Sequence, residues 1–302
     1  MQEELKTWKT NFMPPGHFYS PFPDSDFLVK NKEQLFSKKT GTALPGLELF
    51  ENEQYFFLEK LSKYYQPRIF PTEKEQGFRY YFNNQYFSFS DAVFLYCLIR
   101  EINPKKIIEI GSGFSSAAML DINEQYCNNS IALTFIEPYP AERLDGLIKD
   151  GDNCTIIRSF VQQVPPDLFL DLQEDDILFI DSSHILKTGS DLNHLLFNVL
   201  PVLKKGVLVH FHDIFFPFEY PAEWIIEQQR GWNEAYAVRS FLQFNDTFRI
   251  VLFTSFLENI YKDWFELHMP LCLTPHEQWP VAGSGHRYLE TGGQSLYLRK
   301  VK

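Results

Sequence analysis

Glu109-Ile110-Gly111-Ser112-Gly113-Phe114-Ser115-Ser116 decides how this chain is read. It follows Lys106-Ile107-Ile108, a short apolar run, and leads into a helix-length segment at 115–125. Glycines there let the backbone turn tightly and come close to a ligand. A helix start adds unsatisfied N–H groups and the positive end of the helix dipole. By itself such a strand–Gly-x-Gly–helix is equally a plain turn. It gains weight from Glu137, which closes the next apolar run, 131–136. An acid at that place suits the two hydroxyls of a ribose.

Further apolar runs follow at 154–157, at 176–180 before Asp181, and at 206–211 before His212-Asp213. Helix-length segments at 141–149 and 190–203 separate them, and Ser190 and Asp191 read as a cap and an N-terminal charge of the second. Short buried strands alternating with helices imply a parallel sheet with crossovers, covered on both faces. Residues 221–244 read as helical, 248–253 as a sixth strand and 295–299 as a seventh. The expected fold is α/β, a doubly wound seven-stranded Rossmann-like sheet over residues 81–302. Residues 1–80 are expected to form an irregular, then helical, extension serving as a lid or dimer element. Within it the apolar positions between 47 and 65 repeat at helical spacing. A second helix is expected from 90 to 102, with Ser90 as its cap and Asp91 in its first turn.

Composition narrows the function. The chain has 302 residues, a formal net charge of −11 and 17% aromatic residues, 30 of them Phe. A nucleic-acid binder needs a basic surface to release phosphate counterions, and no Lys/Arg stripe is present. Cys97, Cys127, Cys154 and Cys272 are far apart, which argues against disulfides and zinc–thiolate sites. No run of 18 apolar residues occurs, and the polar start, Met1 to Thr10, lacks an apolar leader core. A cytoplasmic protein, with no nucleic-acid or membrane partner, is the expectation.

The glycine pattern is G-x-G-x-x-S, with Ser116 where a dinucleotide site has its third glycine, and no second Gly-rich loop waits for a pyrophosphate. A cofactor with an adenosine and no phosphates fits better. Here the chain resembles the class I S-adenosylmethionine-dependent methyltransferases. Glu109 to Gly113 is similar to motif I of that class, and Glu137 to its ribose-binding acid. The Ile180-Asp181-Ser182-Ser183-His184 and His212-Asp213 strand ends resemble its small-molecule O-methyltransferase-like branch. The resemblance covers residues 80–300. It implies that Glu109, Gly111, Ser112 and Gly113 line the methionine and ribose side, that Ser115 meets the methionine carboxylate, and that Phe160 or Val161 lies by the adenine. Asp181 is implied to face the cofactor or take part in catalysis. Relatives often carry an Asp near residue 160, where this chain has Ser159-Phe160-Val161-Gln162.

Ligands of open α/β sheets bind beyond the carboxyl ends of the strands, so Asp181, His184, His212 and Asp213 are expected to converge. Two chemistries stay open. His184 or His212, beside Asp213, acts as a base on a substrate hydroxyl. Alternatively Asp181 and Asp213 hold Mg²⁺, with or without His212 as a third ligand. Metal-dependent catechol-type enzymes have an amide after the second carboxylate, where this chain has Ile214. His210 reads as a sheet residue. Residues 11–23 and 215–232, aromatic and rich in proline, are expected to wall the acceptor pocket, with His17 and Tyr19 closing over it. The expected activity is methyl transfer to a hydroxyl of a small acceptor, a sugar or secondary metabolite, by a protein that could pair as a homodimer. The alternatives are a non-catalytic cofactor-binding protein on the same fold and a nicotinamide-dependent oxidoreductase.

Overall fold

A computed structural model describes residues 12–37, 43–278, 287–289 and 293–302. Met1 to Thr10 lies outside the described residues. Two compact units divide the chain at 40/41, 219/220 and 232/233. The smaller joins an N-terminal portion to residues 220–232. It holds two short helices, α1 (Ser25–Lys30) and α2 (Lys32–Phe36), and Arg230 lies over the Trp224 ring at 3.9 Å and the Trp232 ring at 4.5 Å.

The larger unit begins with α3 (Glu51–Ser62) and α4 (Phe89–Ile102). Then come β1 (Lys106–Ile110), α5 (Phe114–Tyr126), β2 (Ala132–Ile136), β3 (Cys154–Ile157), α6 (Asp167–Leu170), β4 (Ile177–Ile180), α7 (Asp191–His194) and β5 (Leu208–Phe211). After residue 232 follow α8 (Glu234–Leu242), β6 (Phe248–Phe253), α9 (Thr254–Ile260), α10 (Lys262–His268), β7 (His276–Gln278), β8 (Arg287–Leu289) and β9 (Leu296–Lys300). Seven strands form one sheet in the order β3-β2-β1-β4-β5-β9-β6, and β7 pairs with β8 separately. β1 to β5 run parallel, and β9 runs antiparallel between β5 and β6. The α/β fold is therefore the Rossmann-like one the apolar runs imply. β4 and β5 are buried along their whole length, because helices cover both faces.

From β1 the winding goes one way through β2 and β3 and the other way through β4 and β5, so the switch point lies between β1 and β4. There Asp181 N donates to Ile110 O at 2.9 Å and Gly111 N donates to Ile136 O at 3.1 Å. The ladder thus fixes the two chain ends that frame the crevice.

Several helices differ from the sequence expectation, each for a local reason. The cap of α4 is Ser88, whose hydroxyl accepts from Asp91 N, while the Ser90 hydroxyl donates to Glu258. Residues 141–149 form two single 3₁₀ turns, the first started by Pro140. The 190–203 helix keeps its Ser190 cap but is α-helical only as α7. It widens to a π turn at Leu195–Val199 and tightens at Leu200–Val202, because Pro201 has no N–H and clashes with a continuing helix. In 221–244 a π turn at Glu223–Glu227 stops before Gln229, whose φ is +51°, and α8 starts afresh. The boundary drawn at residue 80 has no counterpart in the compact units: Phe253 N, on β6, donates to Gln54 Oε1 on α3 at 2.7 Å, tying residues before 80 to the sheet.

Candidate functional site

Gly111 makes the crevice possible. Its φ is +78°, and a Cβ there would sit 1.9 Å from Asp181 O. Only a residue without a side chain lets β1 and β4 end this close together. Around this turn Glu109 Oε1, Ser112 Oγ and Ser182 Oγ are buried with no hydrogen-bond partner among the described residues. Native proteins rarely leave such atoms unmet, so a polar ligand at this turn is the physical expectation. A cofactor with an ammonium, a carboxylate and ribose hydroxyls fits them.

Glu109 is fully buried, and that burial lifts its carboxyl to about 8, with Asp181's charge adding and the Ser115 and Ser116 hydroxyls opposing. Ser116 donates to Glu109 Oε2, and Ser115 is buried beside it. Glu137 accepts from Ser112 N at 3.2 Å and Tyr139 N at 2.8 Å, which puts its carboxylate against the glycine turn. Val161 is buried, while Phe160 is 46% exposed and meets Tyr139 edge-on at 6.0 Å. Glu109, Gly111, Ser112, Gly113, Ser115, Glu137 and Asp181 therefore gather at one turn.

The ends of β4 and β5 meet as expected. Asp181, His212 and Asp213 offer donor atoms that all lie within 4.8 Å of one another. His184 Nε2 lies 3.4 Å from Asp181 Oδ1 and 3.5 Å from Asp213 Oδ2. His184 and Asp213 both hold left-handed backbone, φ +60° and +58°, conformations that non-glycine residues keep only where surroundings force them. At His184 the force is visible, since its carbonyl accepts from Asn233 N and Glu234 N at the start of α8. Asn233 also ties down Leu186, and Asp191 accepts from Ser183 N at 2.8 Å.

Two carboxylates that the sequence did not single out complete the cluster. Glu234, 1% exposed, holds His184 Nδ1 at 2.7 Å. Asp91, fully buried, lies 3.6 Å from His212 Nε2 and accepts from Ser295 Oγ at 2.6 Å and Gln294 N at 3.0 Å. Asp91 looked like an ordinary first-turn helix charge, and the only hint at Glu234 was an acid directly after Asn233. Burial opposes the charge on both histidines, but the surrounding carboxylates outweigh it: His184 rises to about 10, and His212 goes well above its ordinary value. Burial pushes the Asp181 carboxyl up, yet the two histidines hold it well below the usual range. His210 differs. It stacks on Phe179 at 3.7 Å, bonds Ser295 Oγ at 2.9 Å, and burial keeps it neutral.

A family model described as a methyltransferase domain matches residues 108–214, from β1 through the end of β5. An uncharacterized protein of Archaeoglobus fulgidus is 36% identical over 166 residues, covering 54% of this chain and 75% of that one. The SAH-bound Podospora anserina methyltransferase PaMTH1 aligns at 12% identity and a TM-score of 0.41, over 92% of this chain and 95% of that one. A SAM-dependent O-methyltransferase of Thermotoga maritima aligns at 15% identity and a TM-score of 0.39, over 72% and 68%. No helix among the described residues is long and apolar enough to cross a membrane. With the Gly-x-Gly turn at the switch point, Glu137 against it and the domain match across both, the chain belongs to the class I S-adenosylmethionine-dependent methyltransferases.

Proposed function

We propose that this methyltransferase acts on a hydroxyl of a small molecule, a sugar or secondary metabolite, with His184 as the group that receives the hydroxyl proton. The observation carrying this is the Glu234–His184 pair, which aims Nε2 at the gap between Asp181 and Asp213. S-adenosylmethionine supplies an electrophilic methyl on sulfur. Glu137 would hold the ribose hydroxyls, Ser115 the methionine carboxylate, and Phe160 and Val161 the adenine. Glu109 would serve the ammonium side of the turn. Much of the rate enhancement in such a displacement comes from holding the acceptor oxygen in line with the methyl.

Asp181 and Asp213, with Mg²⁺ or a related divalent ion between them, would fix that oxygen's position. Such an ion supplies positive charge that acidifies a bound hydroxyl. With both carboxylates so engaged, Asp181 and Asp213 no longer raise His184, Glu234 alone of its three anionic neighbours still does, and the ring gives up its resting proton more readily and can accept one from the acceptor. Glu234 then keeps Nδ1 as the donor and balances the ring's charge, the arrangement that orients a catalytic imidazole.

The test is methyl transfer from labelled cofactor to a panel of hydroxylated small molecules, with and without divalent ions. Once an acceptor is found, His184→Ala should lower kcat by about 10²–10⁴-fold, with affinity for S-adenosylhomocysteine unchanged. A kcat within a few fold of the parent would remove His184 from this role.

A further inference from the structure

His212 is the least explained polar side chain in the cluster. It is 2% exposed, and neither ring nitrogen has a hydrogen-bond partner among the described residues. Its Nδ1 stands 3.6 Å from Asp181 Oδ1 and 3.6 Å from Asp213 Oδ1, while Nε2 stands 3.6 Å from Asp91 Oδ2. These separations exceed a good N–H···O bond. They match another geometry. Two donors bound to one ion at about 2.1 Å, near the tetrahedral angle, lie roughly 3.4 Å apart.

We infer that His212 Nδ1 is a metal ligand together with Asp181 and Asp213, that Asp91 is the positioning residue for its ring, and that the site selects a borderline transition ion such as Zn²⁺, Fe²⁺ or Co²⁺ over Mg²⁺. The inference rests on the proposed function only in taking Asp181 and Asp213 as cation ligands. Imidazole suits these softer ions, whereas Mg²⁺ favours an all-oxygen set and keeps much of its water. Ligating histidines characteristically give their second ring N–H to a carboxylate, and Asp91 stands on that side of His212. Asp91 is itself anchored from β9 and its approach by Ser295 and Gln294, so it cannot easily turn away. Ile214, the residue after Asp213, is fully buried and its side chain has no donor atom to offer an ion. The nitrogen of His212 supplies the third donor beside the two carboxylates.

The experiment uses the full chain, stripped with a chelator and titrated calorimetrically with Zn²⁺, Co²⁺, Mn²⁺ and Mg²⁺ separately. Absorption of the Co²⁺ form in the visible range is recorded in parallel. Expected are one Zn²⁺ per chain, bound at least about 100-fold tighter than Mg²⁺, and Co²⁺ bands of a nitrogen- and oxygen-bound ion. Asp91→Asn should weaken Zn²⁺ by about 10–100-fold. His212→Asp should collapse the Zn²⁺ preference while Mg²⁺ still binds. Binding of S-adenosylhomocysteine reports that each variant is folded. If His212→Asp leaves Zn²⁺ affinity and the Co²⁺ spectrum unchanged, or if Mg²⁺ binds as tightly as Zn²⁺, the ligand role of His212 is wrong and the divalent site stands. If no ion binds to protein that does bind S-adenosylhomocysteine, both the inference and the cation in the proposed function fail.

Discussion

Replacing Gly111 by alanine tests the crevice at its tightest point. The added Cβ would lie 1.9 Å from Asp181 O and 3.0 Å from the same residue's carbonyl carbon. Both are backbone atoms, and the hydrogen bonds from Asp181 N and Gly111 N hold them in the ladder. Left-handed backbone costs a residue with a Cβ about 1–2 kcal/mol. Forcing atoms into a packed place costs about 1–3 kcal/mol more. A loss of roughly 2–5 kcal/mol lies within the stability of most domains, so the variant should fold, with a melting temperature lower by about 3–8 °C for a chain of this length. Because the strand ends must part, Ser112 and Asp181 move together, and binding of S-adenosylhomocysteine should weaken as well. Thermal unfolding and calorimetric titration with S-adenosylhomocysteine measure both effects. Gly151→Ala is the control, since φ there is +95° but nothing lies within 4 Å of the added Cβ. It should show the backbone cost alone and normal cofactor affinity. Should Gly111→Ala match Gly151→Ala in stability and bind S-adenosylhomocysteine like the parent, the close approach of β1 and β4 has no functional weight.

Glu109 predicts a pH signature of the cofactor-free protein. Its folded-state value of about 8 lies above the ordinary 4.5, so the folded chain binds the extra proton between those values. Stability from this group is full below about pH 4.5 and is lost as pH rises towards 8, with a slope of at most about 1.4 kcal/mol per pH unit. Urea unfolding at several pH values should show that slope reduced in Glu109→Gln; an identical slope in the variant would exclude Glu109 as its source. Arg79 has a structural role. It bonds Asp121 at 3.0 Å and Asp152 at 2.6 Å, all three side chains nearly buried, and Arg79→Ala should cost about 3–5 kcal/mol by chemical denaturation because it strands two carboxylates. A loss below 1 kcal/mol would mean that water or another cation replaces the guanidinium.

What the sequence revealed and what it hid have physical causes. The inner strands were legible because strands buried on both faces are apolar runs, as at β4 and β5, whereas the edge strands 154–157 and 248–253, only partly buried, were legible because their short apolar runs are bounded by polar, turn-forming residues. The convergence of Asp181, His184, His212 and Asp213 was legible because each follows a parallel strand, and parallel neighbours deliver their ends to one crevice. Asp91 and Glu234 were not. Each sits on a helix far along the chain from the histidine it faces, and helical periodicity says nothing about which distant strand end the helix will cover. Pro201 could have warned that the helix from Ser190 breaks, but not that it would first widen to a π turn. Ser88 and Ser90 both satisfy a cap pattern, and only the Ser90–Glu258 bond explains why the second is taken into the core.

The most direct test of the central claim is calorimetric titration of purified protein with S-adenosylmethionine, S-adenosylhomocysteine and NAD, repeated with Glu137→Ala. The two sulfur compounds should each bind one per chain, NAD should not, and the variant should lose both, because no other carboxylate takes Glu137's place against Ser112 N among the described residues. Well-folded protein that binds NAD, or that binds neither sulfur compound, would contradict the account.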